Sequence, residues 1–204
     1  MNELIFILHV IVMSLFLAIA AKRSLLITAF ISVSIFLADF IVIKQVHLLG
    51  LSSMGSEIYI SAATIGLFLL HEEKGEKTTL EVLFSCILIQ SIATALFQLH
   101  LAYAPSPFDT NSMAYYEAFH HSPQVFIGTL IAFPISIFIG IKLFEYITLH
   151  WGNYNFCLRL GLCYLPTHIL NTFLFVGAAL WGLNHAPILQ TIAASFILKM
   201  ITSH

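Results

Sequence analysis

Long uninterrupted apolar runs restrict this chain more than any motif in it. The stretch "LIFILHVIVMSLFLAIAA", residues 4–21, has only a histidine and a serine as polar side chains. About 20 such residues in a helix span the hydrocarbon layer of a bilayer. Seven runs of this kind follow one another, at residues 4–21, 24–43, 54–70, 79–101, 125–147, 160–183 and 187–201. The first and last are short. The expected fold class is an all-α integral membrane protein, a bundle of six to seven transmembrane helices. It forms a single transmembrane domain over residues 1–204.

Composition supports that reading. The 204 residues are 59% hydrophobic and 9% charged, with a mean hydropathy of +0.95. A water-soluble domain carries about 25% charged residues, so the expected solvent of this chain is lipid. A net charge of -2 and the lack of any basic tract argue against a nucleic-acid partner. Met1, Asn2 and Glu3 lack the positive region of a secretory signal, so the first run is expected to remain as a span. Cys86, Cys157 and Cys163 form no C-x-x-C pair and read as small hydrophobes.

The cations set an orientation. With alternating connections, Lys22, Arg23, Lys74, Lys77, Lys142, Arg159 and Lys199 fall on one face, and Lys44 alone falls on the other. The positive-inside rule then places the C-terminus in the cytoplasm and the N-terminus outside, in the inner (cytoplasmic) membrane. The segment 104–124 is extracytoplasmic on this count. It holds Pro105, Pro107 and Pro123 and no Lys or Arg, as suits an external loop with tight turns. Two readings stand for it: an ordinary cap, with Tyr115, Tyr116 and Phe119 at the headgroups, or a lid or entrance over an outward-facing cavity.

Polar groups inside the runs are the site candidates. A charge at the bilayer centre costs about 2.5–3.5 kcal/mol or more, so such groups face the bundle interior with a partner. Asp39, Glu57 and Glu81 lie in or near spans. Asp39 and Glu81 are near span ends, so snorkelling to the interface competes with burial. His168 and Asn171 are the deepest polar pair and share a helix face. An interhelical hydrogen bond and the lining of a pocket are both open to them. Pro134 and Pro166 each remove a backbone donor within a run.

Catalytic signatures are missing. There is no G-x-x-x-x-G-K-[ST], H-E-x-x-H or G-x-S-x-G. No two of the ten histidines stand at the i, i+4 spacing of a helical zinc site. Neither an enzyme nor a bound metal or cofactor is expected.

The order of motifs resembles the queuosine-precursor transporter family, the vitamin-uptake-like transporters. The matching pieces run from about residue 37 to residue 199. They are "VIKQVHLLGL" (42–51), "LLHEEKGEK" (69–77), "SPFDT" (106–110), "SPQVFIGTLIAF" (122–133), "CLRLGLCYLPTHILNTFLF" (157–175) and "SFILK" (195–199). Arg159 stands twelve residues before Asn171, the spacing the resemblance leads one to expect. There are departures. Gln124 replaces an Arg, Ile137 and Gly140 replace a Gln and an Asp, and His168 and Asn171 replace another Gln and Asp.

The resemblance implies uptake of a 7-deazaguanine, a queuosine precursor or queuine, for tRNA modification. Such a base is flat, with adjacent N–H donors and a carbonyl acceptor on one edge. The implied site places Asn171 and His168 centrally, with Thr129 and Ser136 on the neighbouring helix. Glu57 and Glu72 close it, and Lys44, Arg159 and Lys199 neutralise the acids. Another small solute in the same fold, or a non-transporting membrane subunit, is the alternative. The implied partners are a nucleobase-like solute and the lipid bilayer, with a homo-oligomer left open.

Overall fold

The computed structural model describes residues 2–42, 44–48, 51–106, 108–151 and 154–179. Its elements are α1 (Asn2–Ala20), α2 (Ser24–Ile41), β1 (Gln45–Leu48), β2 (Leu51–Met54), α3 (Glu57–Leu101), α4 (Ser112–Phe119), α5 (Ser122–Trp151) and α6 (Phe156–Ala179). The two strands form an antiparallel hairpin, with Gln45 opposite Met54 and Leu48 opposite Leu51. The fold is an all-α bundle, as expected. Among the described residues, five helical segments are long and apolar enough to cross a membrane, rather than six to seven.

The difference has a local cause. The runs at 54–70 and 79–101 are joined in the 45-residue α3, which has non-helical backbone only at Gly75. The run at 187–201 lies outside the described residues. Side-chain contacts show that α3 folds back on itself. A Cβ on Gly66 would lie 2.9 Å from Ile31 Cγ1. Twenty residues later, Cys86 Sγ lies 3.2 Å from Ser32 Oγ. In a straight helix these two positions would stand about 30 Å apart. Both instead meet the same turn of α2, so the two halves of α3 are antiparallel.

Gly75 makes the reversal with φ 79° and ψ 176°. That region is essentially confined to glycine. An added Cβ would meet nothing within 4 Å, so the requirement is one of backbone conformation and not of space.

The element directions give the bundle two distinct ends. One carries the β-hairpin, the start of α1, the loop with α4 and the start of α5. Asn2 Nδ2 donates to His47 O (2.9 Å) there. Phe40 and Phe97 pack against Phe119 with ring centroids 5.3 and 4.6 Å away. The other end carries the α1–α2 turn, Gly75 and the α5–α6 connection. Among the described cations, Lys22, Arg23, Lys74, Lys77, Lys142 and Arg159 lie toward this second end, and Lys44 alone lies at the hairpin end.

Close helix packing holds the interior together. A Cβ on Gly140 would collide with Thr167 Oγ1 of α6 and come within 3.0 Å of Phe68 Cζ. The place where an Asp was expected thus has no room for one. Small residues at membrane helix contacts allow this approach, because lipid offers no hydrophobic force to drive helices together. Ile27, Ile31, Ile35, Leu67, Leu83 and Ile141 belong to one buried cluster joining α2, both halves of α3, and α5. By contrast α1 is mostly exposed apolar surface, with Leu4, Ile5, Leu8 and Phe16 facing outward.

Several hydroxyls inside the helices are satisfied locally. Ser32, Ser85, Ser91 and Thr167 each donate to the carbonyl four residues earlier. Pro134 and Pro166 both lie within helices.

Gly75→Ala is expected to destabilise the fold by about 1–3 kcal/mol, the strain of a side chain in that region. Denaturant unfolding of the detergent-purified protein measures it; an unchanged midpoint would mean that the turn tolerates other conformations.

Candidate functional site

The buried face of α2 carries Ile27, Ile31, Ser34, Ile35, Ala38 and Asp39. That spacing aims Asp39 into the bundle and not toward the headgroups. The residue is 6% exposed. Its Oδ2 accepts a 2.6 Å hydrogen bond from Gln90 Nε2 on α3. Its Oδ1 accepts one of 2.7 Å from Thr129 Oγ1 on α5. Burial therefore describes Asp39, and snorkelling does not. Two donors from two helices satisfy a group that apolar surroundings would otherwise reject.

Asp39 lines a cavity near the hairpin end, together with Glu57, Thr129, Phe133, Asn171 and Thr172. Glu57 opens α3 and is 3% exposed. Asn171 Oδ1 accepts from Ser136 Oγ at 3.3 Å, and the same hydroxyl bonds Phe133 O at 2.9 Å. The cavity thus gathers two carboxylates, one amide and hydroxyls from α2, α3, α5 and α6. Its free space for water-sized molecules is about 20 Å³, enough for a water and not for a ring. The site is narrow, largely filled by its own polar groups.

Of the residues singled out in the sequence, Asn171, Glu57 and Thr129 line this cavity, and Ser136 supports Asn171. His168 is 1% exposed and packs its ring 4.1 Å from that of Tyr164. It is not among the cavity walls.

Glu72 and Arg159 belong to the opposite end of the bundle. Arg159 Nη2 donates to Glu72 Oε1 at 2.7 Å and its Nη1 to Glu72 Oε2 at 3.3 Å. Nη1 also reaches Thr148 Oγ1 at 2.7 Å. The guanidinium lies 5.2 Å from the centre of the Phe144 ring, so one side chain ties α3, α5 and α6 together. Lys142 joins this layer through Glu76 at 2.7 Å and Glu145 at 3.1 Å. Arg159 therefore neutralises Glu72 and not the cavity acids. Lys44 is exposed at the hairpin, beside the cavity but not in its wall. Lys199 lies outside the described residues. Glu81 is exposed toward the cationic end.

Gln90 is the partner that sequence reasoning passed over. An amide in the middle of the apolar run 79–101 was the available signal, since such a group in lipid must bond to another helix.

The segment 104–124 is tethered as well as folded. Gln98 Nε2 donates to Phe119 O and Ser122 Oγ, both at 3.0 Å. Asp109 accepts from Ser112 Oγ at 2.5 Å and from Asn111 N at 2.8 Å. The Ser112 hydroxyl first, then the Asn111 N–H, hold its carboxyl below the usual carboxylate range. Tyr115 and Tyr116 are exposed, while Phe119 turns inward onto Phe97. The described residues of the segment do not line the Asp39 cavity.

An apolar bundle with a small polar cavity walled by four of its helices defines a multi-pass α-helical membrane protein. Residues 53–204 match the model of a family described as "Putative vitamin uptake transporter". The match takes in most of the chain, which belongs to that transporter family. Neither the curated proteins nor the solved structures give a match.

Thr129→Val keeps the shape of the side chain and removes one donor to Asp39. It is expected to destabilise the protein by about 1–3 kcal/mol, while Thr129→Ser retains most of the stability. Unfolding of both variants in detergent checks this, and equal stability for Val and Ser would show that the bond contributes nothing.

Proposed function

We propose that this transporter imports a 7-deazaguanine base, a queuosine precursor or queuine, across the cytoplasmic membrane. The observation that carries the reading is the buried Asp39 carboxylate, held by Gln90 and Thr129 beside Glu57 and Asn171. A guanine-like edge presents adjacent N–H groups, and carboxylates are acceptors only. Asp39 and Glu57 supply those acceptors. Asn171 supplies both a carbonyl for a donor and an N–H₂ for the ring carbonyl. Phe133 and Phe175 are the flat or apolar walls. The acid that the motif pattern leads one to seek on α5 or α6 stands instead on α2.

A cavity of this size takes a base only by opening, so the solute's bonds to Asp39 and Asn171 replace those to Thr129, Gln90 and Ser136. Exchanging one set of hydrogen bonds for another keeps the energetic cost of that opening low. The single domain is oriented with its hairpin and α4 outside and its cationic end in the cytoplasm, as seven cations against one favour. The chain has no nucleotide-hydrolysing motif. Incorporation of the base into tRNA draws net uptake through a carrier without one.

The test is uptake in bacteria that neither make nor import queuosine precursors. The chain is expressed, each precursor or queuine is supplied, and queuosine in tRNA is measured. Modified tRNA with one supplement is the expected result and names the ligand. Absence of modification with every supplement, with the chain verified in the membrane, would overturn the base assignment and favour another solute. Asp39→Asn is expected to lower uptake at sub-saturating solute about 10–100-fold, as for a lost hydrogen bond to a charged group. Asn171→Ala should do likewise. His168→Ala should lower it less, because His168 is not among the residues lining the cavity.

A further inference from the structure

A second and larger cavity opens at the hairpin end, with about 330 Å³ of free space. That lies within the range of small-molecule sites, about 300–1,000 Å³. Its walls are the first two turns of α1, the strand β1, and the start of α3. The α1 wall and β1 precede the residues that match the transporter family, 53–204.

Two residues, Met54 and Glu57, line both this cavity and the Asp39 cavity. They are the partition between them. Both are buried, at 4% and 3% exposure. Glu57 therefore faces both compartments. Met54 is an unbranched side chain that re-packs easily. The larger chamber has its own recognition groups. The His9 ring meets the Tyr59 ring edge-on at 4.8 Å. Lys44, Gln45 and His47 of the hairpin supply donors and acceptors opposite it. Asn2 ties α1 to the hairpin through His47 O at 2.9 Å, and the outer face of α1 is bare apolar surface.

We infer that this chamber is a vestibule: a first binding site for a flat heteroaromatic solute, from which it passes Met54 and Glu57 into the Asp39 cavity. The ligand class rests on the function proposed above, while the route rests on the geometry alone. The vestibule has the room that the inner cavity lacks. Glu57 holds the solute's N–H edge from either side, so the transfer requires Met54 to swing but leaves that bond in place. Lys44, the cation set apart from the others, stands in the vestibule wall as a donor for the solute's carbonyl.

The experiment uses the full chain in open membranes, with both faces accessible, and Cys157→Ser to remove the exposed native thiol. His9→Cys is reacted with a bulky maleimide. Labelling is expected, and it is expected to slow about tenfold with a transported base at ten times its half-saturating concentration. No labelling, or a rate unchanged by a base that is taken up, would overturn the vestibule. Gln45→Cys, on the opposite wall, serves if His9→Cys does not accumulate. A wild-type chain that takes up none of the bases defeats the ligand assignment only, and the route is then decided separately. In the double variant His9→Cys, Asn171→Cys, a small cationic methanethiosulfonate should modify position 171 before the maleimide is attached and not after. Reaction at 171 in both cases, or in neither, would overturn the route.

Discussion

The hydrogen bonds to Asp39 are the point on which the polar end of this bundle depends. A carboxylate among lipid-facing helices is tolerated only where donors replace its water. Gln90 and Thr129 come from different helices, and each bonds a different oxygen. The three side chains therefore fix α2, the second half of α3, and α5 relative to one another. Asn171 with Ser136 adds α6 to the same layer. The fold of the hairpin end and the chemistry of the cavity are consequently one set of contacts.

The opposite end is held by charge of another kind. Arg159 makes a two-pronged contact with Glu72 and a bond to Thr148. The planar fork of a guanidinium matches a carboxylate in this way, which a lysine does not. Glu72 is partly exposed, so solvent weakens the pair, but the bond geometry still fixes which faces of α3 and α6 meet. Between the two ends lie the close contacts of Gly66 on Ile31 and Gly140 on Thr167. A bundle tied by polar bonds at both ends and by small residues between them can shift at one end while the other stays tied. Such a division suits a carrier, whose two faces must not open together.

Much of the fold was legible in the sequence because lipid leaves few options. Apolar runs of spanning length must be helices, and the cations mark one end of them. Gly75 was less legible. The two apolar runs and the cations between them called for a reversal there, but nothing in "HEEKGEK" placed it on a single glycine of otherwise continuous helix; the contacts of Gly66 and Cys86 with α2 show the fold-back. Asp39 was ambiguous for a similar reason. Distance from a span end favours snorkelling, and only its place on the buried face of α2 decides against it.

The separation of Glu57 from Glu72 was there to be read. Fifteen residues of one helix separate them, about 22 Å of rise, which no nucleobase bridges. The same arithmetic parts Arg159 from Asn171, at twelve residues and about 18 Å. Motif order kept both pairs together, because order in sequence says nothing of depth in the membrane. Depth sorts the acids by role. Those beside arginine and lysine at the cationic end hold helices together. Those at the hairpin end, Asp39 and Glu57, share a cavity whose walls, among the described residues, carry no lysine, arginine or histidine. Asp39 there is held by the neutral donors Gln90 and Thr129, whereas Glu72 at the other end is held by the Arg159 guanidinium, so the two ends of the bundle treat their acids by different chemistry.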